Sequence, residues 1–209
     1  MDSSYLSQLA EAAMSPSTAL NRTARYTWAD YRSWPEDERW ELIDGVAYDM
    51  SAAPSIRHQD VVLGLSSRLE QQLRGRPCRP FIAPIDVRLS DADVVQPDIL
   101  VVCDPAKVTP SHIEGAPDLI VEVLSPGTSA KDLRPKKALY ERAGVSEYLI
   151  VDPLEHYAIR FLFGADGFDK GTVFACDEVL TFATLADVEV PLWEVFGLPG
   201  PTVTDPFGQ

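Results

Sequence analysis

The chain has 209 residues, 45% of them hydrophobic and 24% charged, which excludes a disordered or fibrous protein and suits one globular domain. Its 32 acidic and 18 basic residues leave a formal net charge of −14, which argues against a non-specific coat on nucleic acid. No run reaches the roughly 18 apolar residues of a membrane-spanning helix, so no membrane partner is expected.

Residues 1–24 are small and polar and read as a flexible arm; residues 25–198 read as a single domain and 199–209 as a tail. The arm lacks the basic and apolar segments of a secretory signal, which makes the cytoplasm the expected location. Thr27 can cap a short helix running to Trp34, with Asp30 in the capping-box position and Pro35 as the stop. Residues 40–48 read as a hairpin turning at Asp44-Gly45. A helix is expected over 58–74, because Val61, Val62, Leu65, Leu69 and Leu73 recur at helical spacing. Three strands follow, over 80–89, 97–103 and 118–124, then a helix over 129–143 and a strand over 147–151. The remainder reads as antiparallel strands with a short helix near Trp193.

This order lacks regular βαβα alternation. It predicts an α/β fold of mixed α+β character: one mixed sheet flanked by helices, with extra antiparallel strands toward the C-terminus. Cys78, Cys103 and Cys176 are an odd number at wide spacings and read as reduced thiols rather than a disulfide framework or a zinc site. The charge is uneven. From 164 to 209 eight acids face Lys170 alone, whereas Lys131, Arg134, Lys136, Lys137 and Arg142 make 131–142 weakly basic.

Walker-type and GxGxxG phosphate loops, HExxH and GxSxG are all missing. What stands out is acids at the ends of apolar strands. Asp98 opens the run Ile99-Leu100-Val101-Val102, and Glu122 lies inside Leu119-Ile120-Val121-Glu122-Val123. A carboxylate inside a central strand costs several kcal/mol in desolvation unless it is paired or binds a metal. Two readings stand side by side: a buried acid neutralised by Arg or Lys, or a carboxylate pair, Asp98 and Glu122, holding Mg²⁺ or Mn²⁺. Asp132, Lys136 and Tyr140 follow at intervals of four and share one helical face, which by itself is an ordinary salt bridge and a packed tyrosine. His58 and Gln59 start a helix, where amide donors can meet phosphate or the residues can simply lie on the surface. Asp86 can pair with Arg88 or a neighbouring strand, and Trp28, Trp34 and Trp40 read as core or interface anchors.

A Pro-Asp on one strand, an acid on the next and a nearby lysine resemble the PD-(D/E)xK nuclease superfamily. The lysine position of that motif, two residues after the second acid, is held by Leu124. The stretches Glu41-Leu42-Ile43-Asp44-Gly45, Met50-Ser51, His58-Gln59, Ala116-Pro117-Asp118-Leu119, Glu122 to Thr128, Asp132, Lys136, Tyr140, Gly144-Val145, Glu147-Tyr148 and Val151-Asp152-Pro153 resemble, in order, the Uma-type family of restriction-endonuclease-like proteins. The resemblance runs from about Tyr26 to Pro153.

It implies a restriction-endonuclease-like core and a metal-dependent endonuclease acting on DNA. Asp98, Glu122 and the Val123 carbonyl would hold the metal. Lys136, migrated onto the following helix, would serve as the catalytic cation, and Glu41 would complete the site. His58 and Gln59 would face substrate. A homodimer is expected from the apolar strands after Pro153, the tryptophans and the resemblance. Two other classes remain open: a noncatalytic binding or assembly module on this fold, favoured by the acidity, and a phosphodiesterase on a small phosphorylated substrate. Metal titration separates the first of these from both enzymes, and substrate choice separates the two enzymes.

Overall fold

The structure is a computed structural model that describes residues 24–50, 53–125 and 130–201, with backbone alone for 130–133. The proposed arm and part of the proposed tail, together with Ser51, segment 126–129 and the Asp132 side chain, lie outside the described residues. Helix α1 (Trp28–Tyr31) opens with the expected capping box, in which Thr27 accepts from the Asp30 amide and the Asp30 carboxylate accepts from Thr27. Strands β1 (Trp40–Ile43) and β2 (Val46–Asp49) form the expected hairpin. Asp44 and Gly45 both have positive φ (53° and 71°), the conformation that a tight Asp-Gly hairpin turn requires.

Helix α2 (Ile56–Leu73) is capped by the Ser55 hydroxyl and buries Val61, Val62, Leu65, Leu69 and Leu73, the stripe read from the sequence. Residues 80–89 are not one strand. They divide into β3 (Arg79–Ile82) and β4 (Asp86–Ser90), with Pro84 between them, a residue with no N–H for a sheet ladder. Strand β5 (Asp93–Val95) and strand β7 (His112–Glu114), three residues each, were too short to read from periodicity. Strands β6 (Ile99–Val102) and β8 (Leu119–Val123), helix α3 (Ala130–Ala143) and strand β9 (Glu147–Asp152) lie where expected. The C-terminal part holds β10 (Tyr157–Gly164), β11 (Gly167–Phe168), β12 (Thr172–Ala175), β13 (Val179–Thr181), β14 (Glu189–Pro191) and α4 (Leu192–Val195).

The fold class is the mixed one expected, but its strands form two main sheets rather than one. A five-stranded sheet has the order β2-β1-β5-β4-β7; a seven-stranded sheet has the order β11-β10-β9-β8-β6-β3 with β12 also on β10; β13 and β14 pair separately. The pairs β8–β9 and β4–β7 are parallel and all others antiparallel. The β8–β9 pair needs a crossover, and α3 lies in it.

Strand β8 has both faces covered. Leu119, Val121 and Val123 pack with α2 and the C-terminal hairpin, while Ile120 packs with Leu139 and Tyr140 of α3, Tyr148 of β9, and Val87 and Val95 of the five-stranded sheet. Glu122 shares the α3 side, as strand alternation requires. The tryptophans Trp28, Trp34 and Trp40 are half-buried and join Tyr26 and Tyr31 in one aromatic group, with neighbouring ring centroids between 5.2 and 5.9 Å apart.

The reading of the cysteines is corrected. A disulfide joins Cys78 to Cys103, and only Cys176 is free. The β3–β6 register pairs Arg79 with Val102, so the two cysteines stand opposite one another at the end of that ladder despite 25 residues of separation. Among the described residues no helix is long and apolar enough to cross a membrane.

Leu65 is fully buried at the middle of the α2 stripe. Leu65→Ala is expected to lower the free energy of unfolding by about 2–5 kcal/mol, read as a lower denaturant midpoint with an unchanged slope.

Candidate active site

Four elements bring charged groups together on the α3 side of β8. Glu41 is central in β1 and only 1% exposed. Its Oε1 accepts from the Gln96 amide at 2.8 Å and from Lys136 Nζ at 2.8 Å. Lys136, on α3, also donates to Glu122 Oε1 at 3.0 Å, so one ammonium bridges two buried carboxylates. Tyr140 lies one helical turn further on and donates to the same Glu122 oxygen at 2.6 Å. Lys137, the next residue, points elsewhere and lies over the Phe161 ring at 3.7 Å.

Asp98 stands just before β6. The β6–β8 register pairs Ile99 with Val121, and one further step sets Asp98 across from Glu122. Its Oδ2 accepts from the Val123 amide at 2.8 Å and lies 3.1 Å from His58 Nε2. His58 is buried because it falls in phase with the apolar stripe of α2, at the helix turn before Val61 and Val62. Gln59, one residue out of phase, is exposed and makes no side-chain hydrogen bond with a described residue. The structure therefore separates these two helix-start residues, and only His58 reaches the acids.

The electrostatics follow from burial. Water exclusion pushes Glu122 up to about 7; Lys136 opposes that shift, Asp98 and Glu41 add to it, and the Tyr140 hydroxyl moderates it. For Lys136, burial favours the neutral form, but Glu122 and Glu41 outweigh it and hold the ammonium well above its ordinary range. Burial would likewise lower His58, yet the Asp98 hydrogen bond and charge, with Glu122 and the Val123 carbonyl, raise it. The region thus holds three carboxylates, one lysine and, on Asp98, an imidazole whose charged form is favoured. Two buried polar atoms nearby, His58 Nδ1 and the Tyr148 hydroxyl, have no hydrogen-bond partner of good geometry among the described residues.

Glu41, Glu122 and Lys136 are in direct contact, and Asp98 lies beside them with His58. The main chain of Val123 is part of the same corner through its amide. Three contributions were not read from the sequence: the Gln96 amide that holds Glu41, the Tyr140 hydroxyl on Glu122, and the imidazole on Asp98. Tyr140 and His58 both carried a helical-phase signal; the Gln96 contact is main chain and has none. Asp86 is bound not to Arg88 but to the Tyr31 hydroxyl at 2.7 Å and the Gln96 side-chain amide at 2.9 Å. Among the described residues no three His, Cys, Asp or Glu side chains form a ready metal cage.

Comparison with known proteins identifies a family and a shared fold. The family Uma2, described as "Putative restriction endonuclease", matches residues 28–175. An uncharacterized protein, slr1290, from Synechocystis sp. is 31% identical over 126 residues, which cover 58% of this chain and 66% of that protein, just under two thirds of its length. A crystal structure from Anabaena variabilis, described as "a putative nuclease belonging to DUF820", superposes with a TM-score of 0.69 at 19% identity, covering 82% of this chain and 97% of that one. That likeness establishes the shared fold.

The raised Glu122 makes stability depend on pH with a definite sign. Between about 4.5 and about 7 the native protein keeps a proton that the unfolded chain releases, so stability falls as pH rises through that window. Glu122→Gln removes the charge and keeps the shape. In metal-free protein it is expected to raise stability at pH 8 on the order of 2 kcal/mol and to change little at pH 5, measured by denaturant unfolding at both values.

Proposed function

The chain belongs to the Uma2 family, and from that premise we propose that it is a nuclease, dependent on a divalent metal, that hydrolyses DNA phosphodiester bonds. The single observation that carries this reading is the meeting of Glu41, Glu122 and Lys136 at 2.8 and 3.0 Å, with Asp98 across the ladder from Glu122. The donor set suits a hard cation. Asp98 Oδ1 and Glu122 Oε2 accept no hydrogen bond from a described residue, and the surplus negative charge there favours a cation. Asp98, Glu122 and the Val123 carbonyl are the groups that would hold it. Bound there, Mg²⁺ or Mn²⁺ would polarise the scissile phosphate and make a water easier to deprotonate.

The chain's own residues do the rest. Tyr140 and Lys136 fix one Glu122 oxygen and so orient the other. The Val123 amide and His58 do the same for Asp98. Lys136 carries a permanent positive charge into a buried site and can donate to negative charge that develops on a phosphoryl oxygen. Glu41 sets the direction of that ammonium and is itself held by the Gln96 amide. His58, bonded to Asp98, and the solvent-facing Gln59 at the same helix start are the residues that would face substrate in this reading. The enzyme acts as a homodimer, with exposed Phe163 and Val173 on the C-terminal strands as apolar contact candidates.

A second reading has one specific observation behind it. With a net charge of −14 the protein repels polyanions, which favours a noncatalytic assembly module on the same fold. Nicking of supercoiled plasmid at low salt decides between them. The wild type is expected to nick with Mn²⁺ and not with chelator, and Lys136→Ala to lose at least about 100-fold, the scale of one transition-state donor. Lys136→Ala also strips two buried acids of their cation, so rates are compared where circular dichroism shows both proteins folded. Lys137→Ala should keep most activity. Wild-type protein that cleaves no nucleic acid with either metal would favour the assembly module. Static light scattering at micromolar concentration is expected to return twice the monomer mass; a clean monomer removes the dimer.

A further inference from the structure

A cavity beside α1 and β1 is lined by none of Glu41, Asp98, Glu122 and Lys136. It holds about 360 Å³, within the usual range of roughly 300–1,000 Å³ for small-molecule sites. Its walls are the rings of Trp28, Tyr31, Trp34 and Trp40, and the carboxylates of Glu38 and Asp86 lie among them. Glu36, exposed, stands at the rim, so three acids face a single lining base, Arg32.

Each wall is held in place. Trp40 donates its indole N–H to Glu38 at 2.9 Å. Trp34 packs edge-on against Trp40 at 5.9 Å and tilted against Tyr31 at 5.4 Å. The Tyr31 hydroxyl is tied to Asp86 Oδ1 at 2.7 Å and to the Trp40 carbonyl at 3.2 Å. Asp86 Oδ2 receives no hydrogen bond from a described residue.

Aromatic faces attract a cation through their negative quadrupole, and nearby carboxylates add to that attraction. Trp28 already has such partners within the chain: the Arg32 and Arg88 guanidinium carbons lie 5.5 and 5.9 Å from its ring, Tyr31 stacks on it at 5.7 Å and His112 lies 4.9 Å away, which leaves Trp34 and Trp40 as the indoles for a ligand. Phosphate or any other anion would meet a surplus of acids here. A neutral ring would stack but gain nothing from those acids.

We propose that this cavity is a binding site for an organic cation, an alkylated ammonium or a guanidinium group, held by the rings of Trp34 and Trp40 with Asp86 and Glu38 as counter-charges. The site is independent of the nuclease reading, because it uses none of Glu41, Asp98, Glu122 or Lys136. The cation can arrive as a free small molecule or as the side chain of a basic partner, and the chemistry recognised is the same.

The test is intrinsic tryptophan fluorescence of the full chain titrated at constant ionic strength. The probes are choline and methylguanidinium, with 3,3-dimethylbutan-1-ol as the neutral counterpart of choline. At least one cation is expected to give a saturable change, with the neutral alcohol at least about fivefold weaker. Glu36→Gln, at an exposed rim position that does not threaten folding, should weaken the cation about twofold, and Asp86→Asn and Trp34→Leu about fivefold or more with near-wild-type unfolding midpoints. A short peptide carrying arginine that binds at least tenfold tighter than argininamide identifies a partner side chain as the source; equal binding identifies a free small molecule. No saturable change with either cation, equal affinity for the neutral alcohol, or tighter binding of neutral nucleosides than of cations would each overturn the proposal. Plasmid nicking plays no part in this readout, so failure here leaves the nuclease reading untouched, and the reverse also holds.

Discussion

Two carboxylates, Glu41 and Glu122, share a poorly hydrated interior with one ammonium, and the contacts of Lys136 with both are what make that grouping tolerable. Isolated, either acid would cost several kcal/mol to bury in charged form. Paired through one lysine, they tie β1 of the smaller sheet to β8 of the larger one by way of α3. Apolar contacts such as Val87 and Val95 against Ile120, and the Arg142–Asp93 pair from α3 to β5, join the same two sheets. The bridge adds direction to those contacts.

Acidity elsewhere sets a different constraint. The −14 charge repels a polyanion over most of the surface, and the basic residues around Arg134 and Lys137 are few. Part of the local positive charge is committed internally: Arg142 pairs with Asp44 and Asp93, and Lys136 with its two acids. Any approach of DNA would be confined to a small face and would be salt-sensitive. The same imbalance favours cationic partners, which fits an aromatic cavity rimmed with carboxylates.

Much of this architecture was legible in the sequence where periodicity was long or turn chemistry explicit. The stripe of α2, the Asp44-Gly45 turn and the Thr27–Asp30 cap each carry a local physical signal, and each formed as read. Elements of three residues, β5 and β7, carry no period, and the division of 80–89 between two sheets depends on tertiary pairing that Pro84 only hints at. The disulfide was misread for a related reason: spacing of 25 residues says nothing about which strands lie side by side. At the candidate site, the acids and the lysine stood out because charge inside apolar strands is costly. The Gln96 amide did not, since a main-chain donor has no sequence signature. The imidazole of His58 lay within reach of a phase argument, because its helix position aligns with Val61 and Val62.

The alternation of β8 has a consequence for folding fidelity. Its odd-numbered side chains enter one apolar cluster and Ile120 enters the other, so the strand has a greasy surface on both sides and little in those residues tells one face from the other. A slip of one position against β6 or β9 would still present Val, Ile or Leu nearly everywhere. Glu122 breaks that degeneracy. In the shifted pairing its carboxylate would be turned toward α2 and away from both Lys136 and Tyr140, an unpaired charge in a dry cluster. Glu122 therefore also acts as a proofreader of strand alignment, and a chain that lost it would give up selectivity among its own misfolded forms.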